Sequence, residues 1–103
     1  MSEPLRVEIT TLAAWHIRDA EEWWRINRTA APNAVRRELQ RAFVLIASQP
    51  RIGSRATNVK LPAVRRIFLP IIKQHLYYHL TGDPQYVEVV ALWHASRGKG
   101  PPI

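Results

Sequence analysis

The sequence predicts a two-layer α+β domain in the order β-α-α-β-β-β, with a helical hairpin packed on a four-stranded, mostly antiparallel sheet. Three observations support this fold class. Residues 5–10 alternate apolar and polar side chains, residues 12–48 carry two helical apolar stripes, and residues 64–93 hold three β-like segments. With 103 residues and a hydrophobic content of 47%, the chain is expected to form one domain, residues 1–103, with its own core.

The first half of the chain predicts a strand followed by two helices. Residues 5–10 have the alternation of a half-buried strand, and Thr10 or Thr11 can cap the helix that follows. Apolar residues then recur at i, i+4, i+7 and i+11 in residues 12–28 and again from Pro32 to residue 48. They are Ala13, Ile17, Ala20 and Trp24 in the first helix and Val35, Leu39, Ala42 and Ile46 in the second. The short connection between the stripes predicts an antiparallel hairpin.

The second half predicts a loop, a three-stranded meander and an irregular tail. Pro50 ends the second helix, and Gly53 permits a tight bend within the loop of residues 49–62. Strands are predicted at residues 64–69, 74–81 and 86–93, with a turn at residues 82–84 (Gly-Asp-Pro). The tail from residue 94 onward is expected to be irregular.

Strand alternation also predicts which meander side chains share a face of the sheet. On this reasoning Ile67, Leu69 and Tyr78 lie under the helices. The other set lines the open face and consists of Arg66, Phe68 and Tyr77. His75 and His79 are four residues apart in one strand, about 13 Å, so we expect no metal pair there. We also expect no cofactor.

The charge of the chain is concentrated in its second half. The formal net charge is +7, and residues 51–103 carry eight basic residues against two acidic ones. Such an asymmetry indicates a basic surface for a polyanion or an acidic protein partner. Twelve of the fifteen basic residues are arginines, which favours bidentate contacts to phosphate or carboxylate.

Several protein classes are excluded by composition. The absence of cysteine excludes disulfide scaffolds, cysteine zinc sites and thiol nucleophiles. No apolar run approaches the ~20 residues of a membrane span, and the N-terminus has no signal-peptide pattern. We therefore expect a cytoplasmic protein without a membrane partner.

Five motifs, in order over nearly the whole chain, carry a resemblance to a known family. They are EWWRINR at 22–28 with Ala31-Pro32, PRIG at 50–53, LPAVRRI at 61–67, HLYY at 75–78, and VALWHASRG at 90–98. Together with the order of elements, they resemble the RelE/ParE superfamily of bacterial type II toxins, on its ParE-like branch of plasmid stabilisation toxins.

The resemblance implies a toxin encoded beside a small antitoxin. The antitoxin's acidic, amphipathic C-terminal segment would wrap the toxin and block it. Its N-terminal domain would bind operator DNA, so the toxin would reach that DNA only through the antitoxin. RelE-like members cut mRNA in the ribosomal A site, whereas ParE-like members inhibit DNA gyrase.

The residues needed for RNA cleavage are only partly present. A metal-independent RNase must activate the 2′-hydroxyl, stabilise the phosphate and protonate the leaving oxygen. The candidates for these roles are Arg66, His75, His94 and Arg97. The resemblance implies that RelE-like members carry Lys and Arg on the meander strands, and Phe68 occupies a position where such a second cation would be expected. The sequence therefore favours a non-nucleolytic, ParE-like gyrase inhibitor. A ribosome-dependent RNase and a basic nucleic-acid-binding domain remain as alternatives.

The sequence also nominates residues for binding the target or the antitoxin. An open sheet face with arginines and apolar anchors would suit an acidic amphipathic segment, and an edge strand could accept an added strand. The candidates are Arg65, Arg66, Phe68, Tyr77, His94, Arg97 and Lys99.

Overall fold

The computed structural model describes residues 3–103 and confirms the α+β class. Two helices, α1 (Thr11–Asn27) and α2 (Ala34–Ser48), pack on one sheet. The strands are β1 (Val7–Ile9), β2 (Ser54–Arg55), β3 (Arg65–Leu69), β4 (Gln74–Thr81) and β5 (Tyr86–His94). The three meander strands lie within one residue of their predicted positions.

The sheet has five strands, in the order β1-β5-β4-β3-β2, rather than the predicted four. The first strand joins β5 in parallel, and the other pairings are antiparallel. The additional strand, β2, contributes only two residues, which pair with Arg65 and Arg66 inside the predicted loop. Two residues are too few to show an alternating pattern, which is why the sequence did not reveal this strand.

Local capping determines where α1 begins and ends. The Thr10 hydroxyl oxygen accepts a hydrogen bond from the Ala13 N–H at 3.1 Å, as expected of an N-cap threonine. The backbone N–H of Arg28 closes the other end by donating to the Trp24 carbonyl at 2.8 Å. In the second helix the predicted start at Pro32 is two residues early, because Asn33 is the N-cap residue.

The main core lies between the helices and one face of the sheet. Both predicted helical stripes contribute to it, and so do the meander residues Leu69 and Tyr78, with Ile67 packed at its border. The strand parity predicted for these three residues is therefore confirmed. Fully buried side chains of this core include Val35, Ile46, Leu76, Tyr78, Val87 and Val89.

A second, smaller core lies on the opposite face of the sheet. It consists of Val64, Tyr77, Val90 and Ala91, and side chains of the loop and the tail, including Val59, Leu61 and Ile103, cover it. The β4–β5 register skips one residue here, so Val90 and Ala91 both join this cluster. The Ile103 carbonyl accepts a hydrogen bond from the Lys60 N–H at 2.9 Å, which fastens the tail to the loop.

This second core corrects the expectation that the face opposite the helices is open throughout. The tail is irregular, as predicted, but it is packed against the sheet. Tyr77 is on the predicted face yet only 1% exposed, because the apolar loop and tail side chains cover its ring. Within residues 3–103, no helix has the length and hydropathy needed to cross a membrane.

Candidate functional site

The sheet face that carries the second core also holds a compact group of polar and aromatic side chains. Strand register pairs Arg66 with Tyr77 and Phe68 with His75 across β3 and β4. The Arg66 guanidinium donates to the Tyr77 hydroxyl at 3.3 Å, and the Asn58 amide donates to the same oxygen at 3.0 Å. We call these five residues the sheet-face cluster.

An imidazole stands between two aromatic rings in this cluster. The His75 ring centroid lies 5.3 Å from that of Phe68 and 6.2 Å from that of Tyr77, in tilted and edge-on arrangements. Burial lowers the pKa of His75, and the positive charge of Arg66 lowers it further. The cluster therefore carries one guanidinium charge beside an imidazole held in its neutral form near neutral pH.

Phe68 is the most exposed aromatic side chain of the cluster. Half of its surface (50%) is accessible to solvent, although the residue lies within strand β3. An exposed phenyl ring beside a guanidinium whose position is fixed by a hydrogen bond is typical of a protein-binding surface, where aromatic and arginine side chains supply most of the affinity.

The four candidates for RNA cleavage do not come together. Arg66 and His75 lie in the sheet-face cluster, whereas His94 is placed on the helix side of β5. There it lines a cleft with Arg97 and residues of α1. His94 pairs with Gln74, the neighbour of His75, so strand alternation directs its side chain away from the face that carries His75.

The cleft between α1 and the end of β5 has a volume of about 600 Å³. We call it the α1–β5 cleft. The side chains that matter for its chemistry are His16, Trp23, Arg28, Lys73, His94 and Arg97. The Nδ1 atom of His16 accepts the Leu92 N–H at 3.2 Å, and burial, followed by the Arg97 charge, lowers the pKa of this histidine.

Arg65 and Lys99, two further candidates for binding the target or the antitoxin, lie away from the sheet-face cluster. The Arg65 guanidinium lies on the helix side, where it donates to the Gly53 carbonyl at 2.7 Å. The Gly53 N–H in turn donates to the Tyr78 hydroxyl at 2.9 Å, so Arg65 helps to hold the loop. The Lys99 carbonyl accepts the Trp93 indole N–H at 2.8 Å, which places Lys99 in the tail.

Sequence reasoning missed three polar residues that organise these sites. Asn58 lies in the loop, where no periodicity indicates a partner. His16 directly precedes Ile17, which belongs to the apolar stripe of the first helix. This position only weakly indicated that the His16 side chain lies at the border of the core. Glu38 gave a clearer one, because it lies three residues after Val35 on the same helical face. It is buried, and its carboxylate accepts the Ile71 N–H at 2.6 Å.

Ligands for a metal ion are not gathered in the part of the chain that the structure describes. Among residues 3–103, no three His, Asp or Glu side chains converge in the way a metal site requires.

Comparison with known proteins identifies the family. Residues 7–98 match the family model described as the ParE toxin of type II toxin-antitoxin system, parDE. No curated protein matches the chain. One similar solved structure comes from the chromosomal ParDE TA system from P. aeruginosa, with a TM-score of 0.71, 14% identity, and coverage of 92% of this chain and 100% of that chain. At that identity the likeness establishes the fold alone. Because the family match spans most of its length, the chain belongs to the ParE toxin family of type II toxin-antitoxin systems.

Proposed function

We propose that this toxin inhibits growth by binding DNA gyrase and that a cognate antitoxin neutralises it in the cytoplasm. The observation that carries the proposal is the composition of the sheet-face cluster. Arg66 and the half-exposed Phe68 form a surface suited to binding a protein. Family membership supports an antitoxin partner.

The position of His94 favours target binding over RNA cleavage. General acid-base cleavage needs both proton-transfer groups within hydrogen-bond reach of one phosphate. His75 and His94 are on opposite faces of the sheet, and Phe68 contributes no charge to the transition state. The RNase alternative is therefore less well supported than the inhibitor.

Direct nucleic-acid binding is also less well supported than protein binding. The basic residues of the second half are divided among the sheet-face cluster, the α1–β5 cleft and the loop. A phosphate backbone is usually bound by many cations along one path. The division instead suits separate contacts with protein partners.

Two assays run side by side test the proposal. Purified toxin added to DNA gyrase should reduce supercoiling and cause cleaved DNA complexes to accumulate. The same preparation should release no fragments from mRNA on translating ribosomes. Ribosome-dependent mRNA cleavage with unaffected gyrase would overturn the proposal in favour of the RNase alternative.

The antitoxin arm of the proposal is tested in cells. Induced expression of the toxin should arrest growth, and co-expression of the small protein encoded beside it should restore growth. Continued arrest in the presence of that protein would contradict neutralisation by a cognate antitoxin.

A further inference from the structure

A serine and a histidine form a close pair where β5 ends. The Ser96 Oγ atom lies 2.6 Å from the His94 Nδ1 atom, and the Ser96 backbone N–H donates to the same nitrogen at 3.1 Å. Because a backbone N–H can only donate, Nδ1 is an unprotonated nitrogen of the ring and accepts from the hydroxyl as well. The distance from Oγ to Nδ1 is one at which an imidazole can remove the proton of an attacking hydroxyl.

A tight turn after β5 presents this pair to solvent. The Arg97 N–H donates to the His94 carbonyl at 3.2 Å and closes the turn of residues 94–97. Ser96 occupies the third position of the turn and is exposed, and both members of the pair line the α1–β5 cleft. A nucleophile on a turn directly after a strand stands clear of the sheet, so a substrate in the cleft can reach it.

The same cleft has an excess of positive charge. Among the described residues that line it, one side chain, that of Asp19, is a carboxylate and three are cationic. The Arg28 Cζ atom lies 5.1 Å from the Trp23 ring centroid. The Arg97 Cζ atom lies 4.0 Å from the Trp93 ring centroid. Stacking on an indole ring restricts a guanidinium and leaves N–H groups at its edge for an anion.

The third cation, Lys73, is carried by a turn that is bound next to the serine. The Lys73 carbonyl accepts the Ala95 N–H at 3.0 Å, and Ala95 directly precedes Ser96. The same turn is tied to α2, because the Glu38 carboxylate accepts the Ile71 N–H. A cation on such an anchored turn binds an anion at a lower cost in conformational entropy.

The surroundings of the pair favour a substrate that is both anionic and acylated. A bare phosphate ion would use the cations and leave the exposed surfaces of Trp23 (48%) and Ile71 (51%) in water. An acyl phosphate uses both, since its phosphate group contacts the cations and its hydrocarbon part packs on the apolar side chains. The carbonyl carbon between these two parts is the atom that a serine oxygen attacks.

We propose that Ser96 and His94 form a nucleophilic site that takes an acyl group from an acyl phosphate. The Ser96 Oγ atom bonds to the carbonyl carbon, His94 Nδ1 takes the hydroxyl proton, and the bond from that carbon to the phosphate oxygen breaks. The phosphate leaves with the bonding electrons and receives the proton from His94. The products are an acyl ester of Ser96 and hydrogen phosphate.

The cations of the cleft contribute to this step through the leaving group. Negative charge develops on the departing phosphate, and the side chains of Arg28, Lys73 and Arg97 stabilise it. The ester that remains on Ser96 is uncharged, so the cations do not retain it. This reaction is independent of gyrase binding.

Mass-spectrometric peptide mapping of the purified toxin after incubation with acetyl phosphate tests the site. One acetyl group should appear on Ser96. Ser54 is the internal control, because it is an exposed serine of β2 whose strand partner is Arg66 rather than a histidine. Acetyl groups confined to lysines would overturn the proposal, and so would equal acetylation of the two serines or a phosphoryl group on Ser96.

The variant His94→Asn tests the imidazole as the base. Its side-chain oxygen can still accept the Ser96 N–H and hydroxyl, but it does not take up the proton. Acetylation of Ser96 should be at least about a hundredfold slower than in the wild type. The matched control is His79→Asn, which replaces a histidine paired with Glu88 outside the cleft and should react like the wild type. Equal rates for His94→Asn and the wild type, with both folded by circular dichroism, would contradict the proposal.

Competition by inorganic phosphate tests the anionic end of the substrate. Phosphate should slow the acetylation of Ser96 by acetyl phosphate but not by p-nitrophenyl acetate, a neutral ester with the same acyl group. Arg28→Gln should need at least about threefold more acetyl phosphate for half the maximal rate. Its control is Arg18→Gln, since Arg18 stacks 5.0 Å from the Trp15 centroid but lies outside the cleft. No effect of phosphate or of Arg28→Gln would overturn the assignment of an acyl phosphate.

Discussion

The Arg66 guanidinium donates a hydrogen bond to the hydroxyl of Tyr77, a residue buried on the sheet face opposite the helices. The same hydroxyl accepts a hydrogen bond from Asn58, so it joins β3 to the loop that covers the second core. The arrangement explains how this sheet presents an arginine in a fixed position. The hydroxyl of the buried Tyr77 orients the Arg66 guanidinium, and the hydrogen bond from Asn58 in the covering loop fixes the position of that hydroxyl.

Removing the Tyr77 hydroxyl should weaken the fold measurably. Tyr77→Phe takes away the acceptor used by both Arg66 and Asn58 while the ring stays buried. We expect the free energy of unfolding to fall by about 1–3 kcal/mol, measured by urea denaturation. Tyr86→Phe is the matched control, because the Tyr86 ring contacts Arg6 through its face and keeps that contact. Equal stability of the two variants would contradict the structural role of the Tyr77 hydroxyl.

Gly53 should not tolerate a side chain. A Cβ atom at this position would lie 2.7 Å from the Tyr78 hydroxyl oxygen and 2.9 Å from the Arg66 carbonyl oxygen. Since the second neighbour is backbone, Gly53→Ala should lower the melting temperature, at a cost of roughly 1–3 kcal/mol. Gly98→Ala is the control, because a Cβ atom there has no neighbour within 4 Å. An unchanged melting temperature for Gly53→Ala would show that the loop can shift to make room for a side chain at this position.

The buried carboxylate of Glu38 should stabilise the turn that carries Lys73. Glu38→Ala leaves the Ile71 N–H without its acceptor and should cost about 1–3 kcal/mol of unfolding free energy. Glu38→Gln keeps a carbonyl oxygen for the same N–H and should cost less. Chemical denaturation of the two variants measures the difference, and an equal loss for both would indicate that the hydrogen bond contributes little.

Acidification should destabilise the toxin through His16. Burial and the Arg97 charge lower the pKa of this histidine in the folded state from its ordinary 6.5, while the nearby Asp19 raises it in part. The unfolded chain therefore binds more protons than the folded one as the pH falls below about 6.5. Stability is complete above that pH and declines as the pH drops toward the lowered folded pKa.

The variant His16→Asn isolates this contribution. Its side-chain oxygen can still accept the Leu92 N–H, but the side chain does not titrate. Urea midpoints measured at pH 7.5 and below pH 6 should differ less in the variant than in the wild type. His75, whose pKa is also lowered, should account for part of the remaining difference. The same pH dependence in both proteins would contradict a role for His16.

The periodic parts of the sequence predicted most of the fold. The helical stripes, the meander and the faces occupied by Tyr77 and Tyr78 follow from spacing alone. The cover over Tyr77 could not be predicted in this way, because it is formed by isolated apolar residues such as Val59 and Ile103 in irregular segments. Contacts of that kind depend on tertiary packing, which local patterns do not encode.

Only part of the candidate site could be predicted from the sequence, again because local patterns do not encode tertiary contacts. Arg66 and Phe68 were assigned to one face by strand parity, and the structure places them there. His94 was grouped with them through the order of motifs, which carries no information about strand faces. Arg28 was visible in the sequence as part of a tryptophan-rich motif, but its stacking on Trp23 required the helix end to be known.

The most direct measurement of the central claim is inhibition of gyrase supercoiling by wild-type toxin and by Arg66→Glu. The control is Arg41→Glu, which makes the same charge change at an exposed position of α2. We expect the wild type and the control to inhibit supercoiling equally, and Arg66→Glu to need at least about tenfold more protein. Failure of the wild type to inhibit gyrase would contradict the account, and so would equal inhibition by Arg66→Glu.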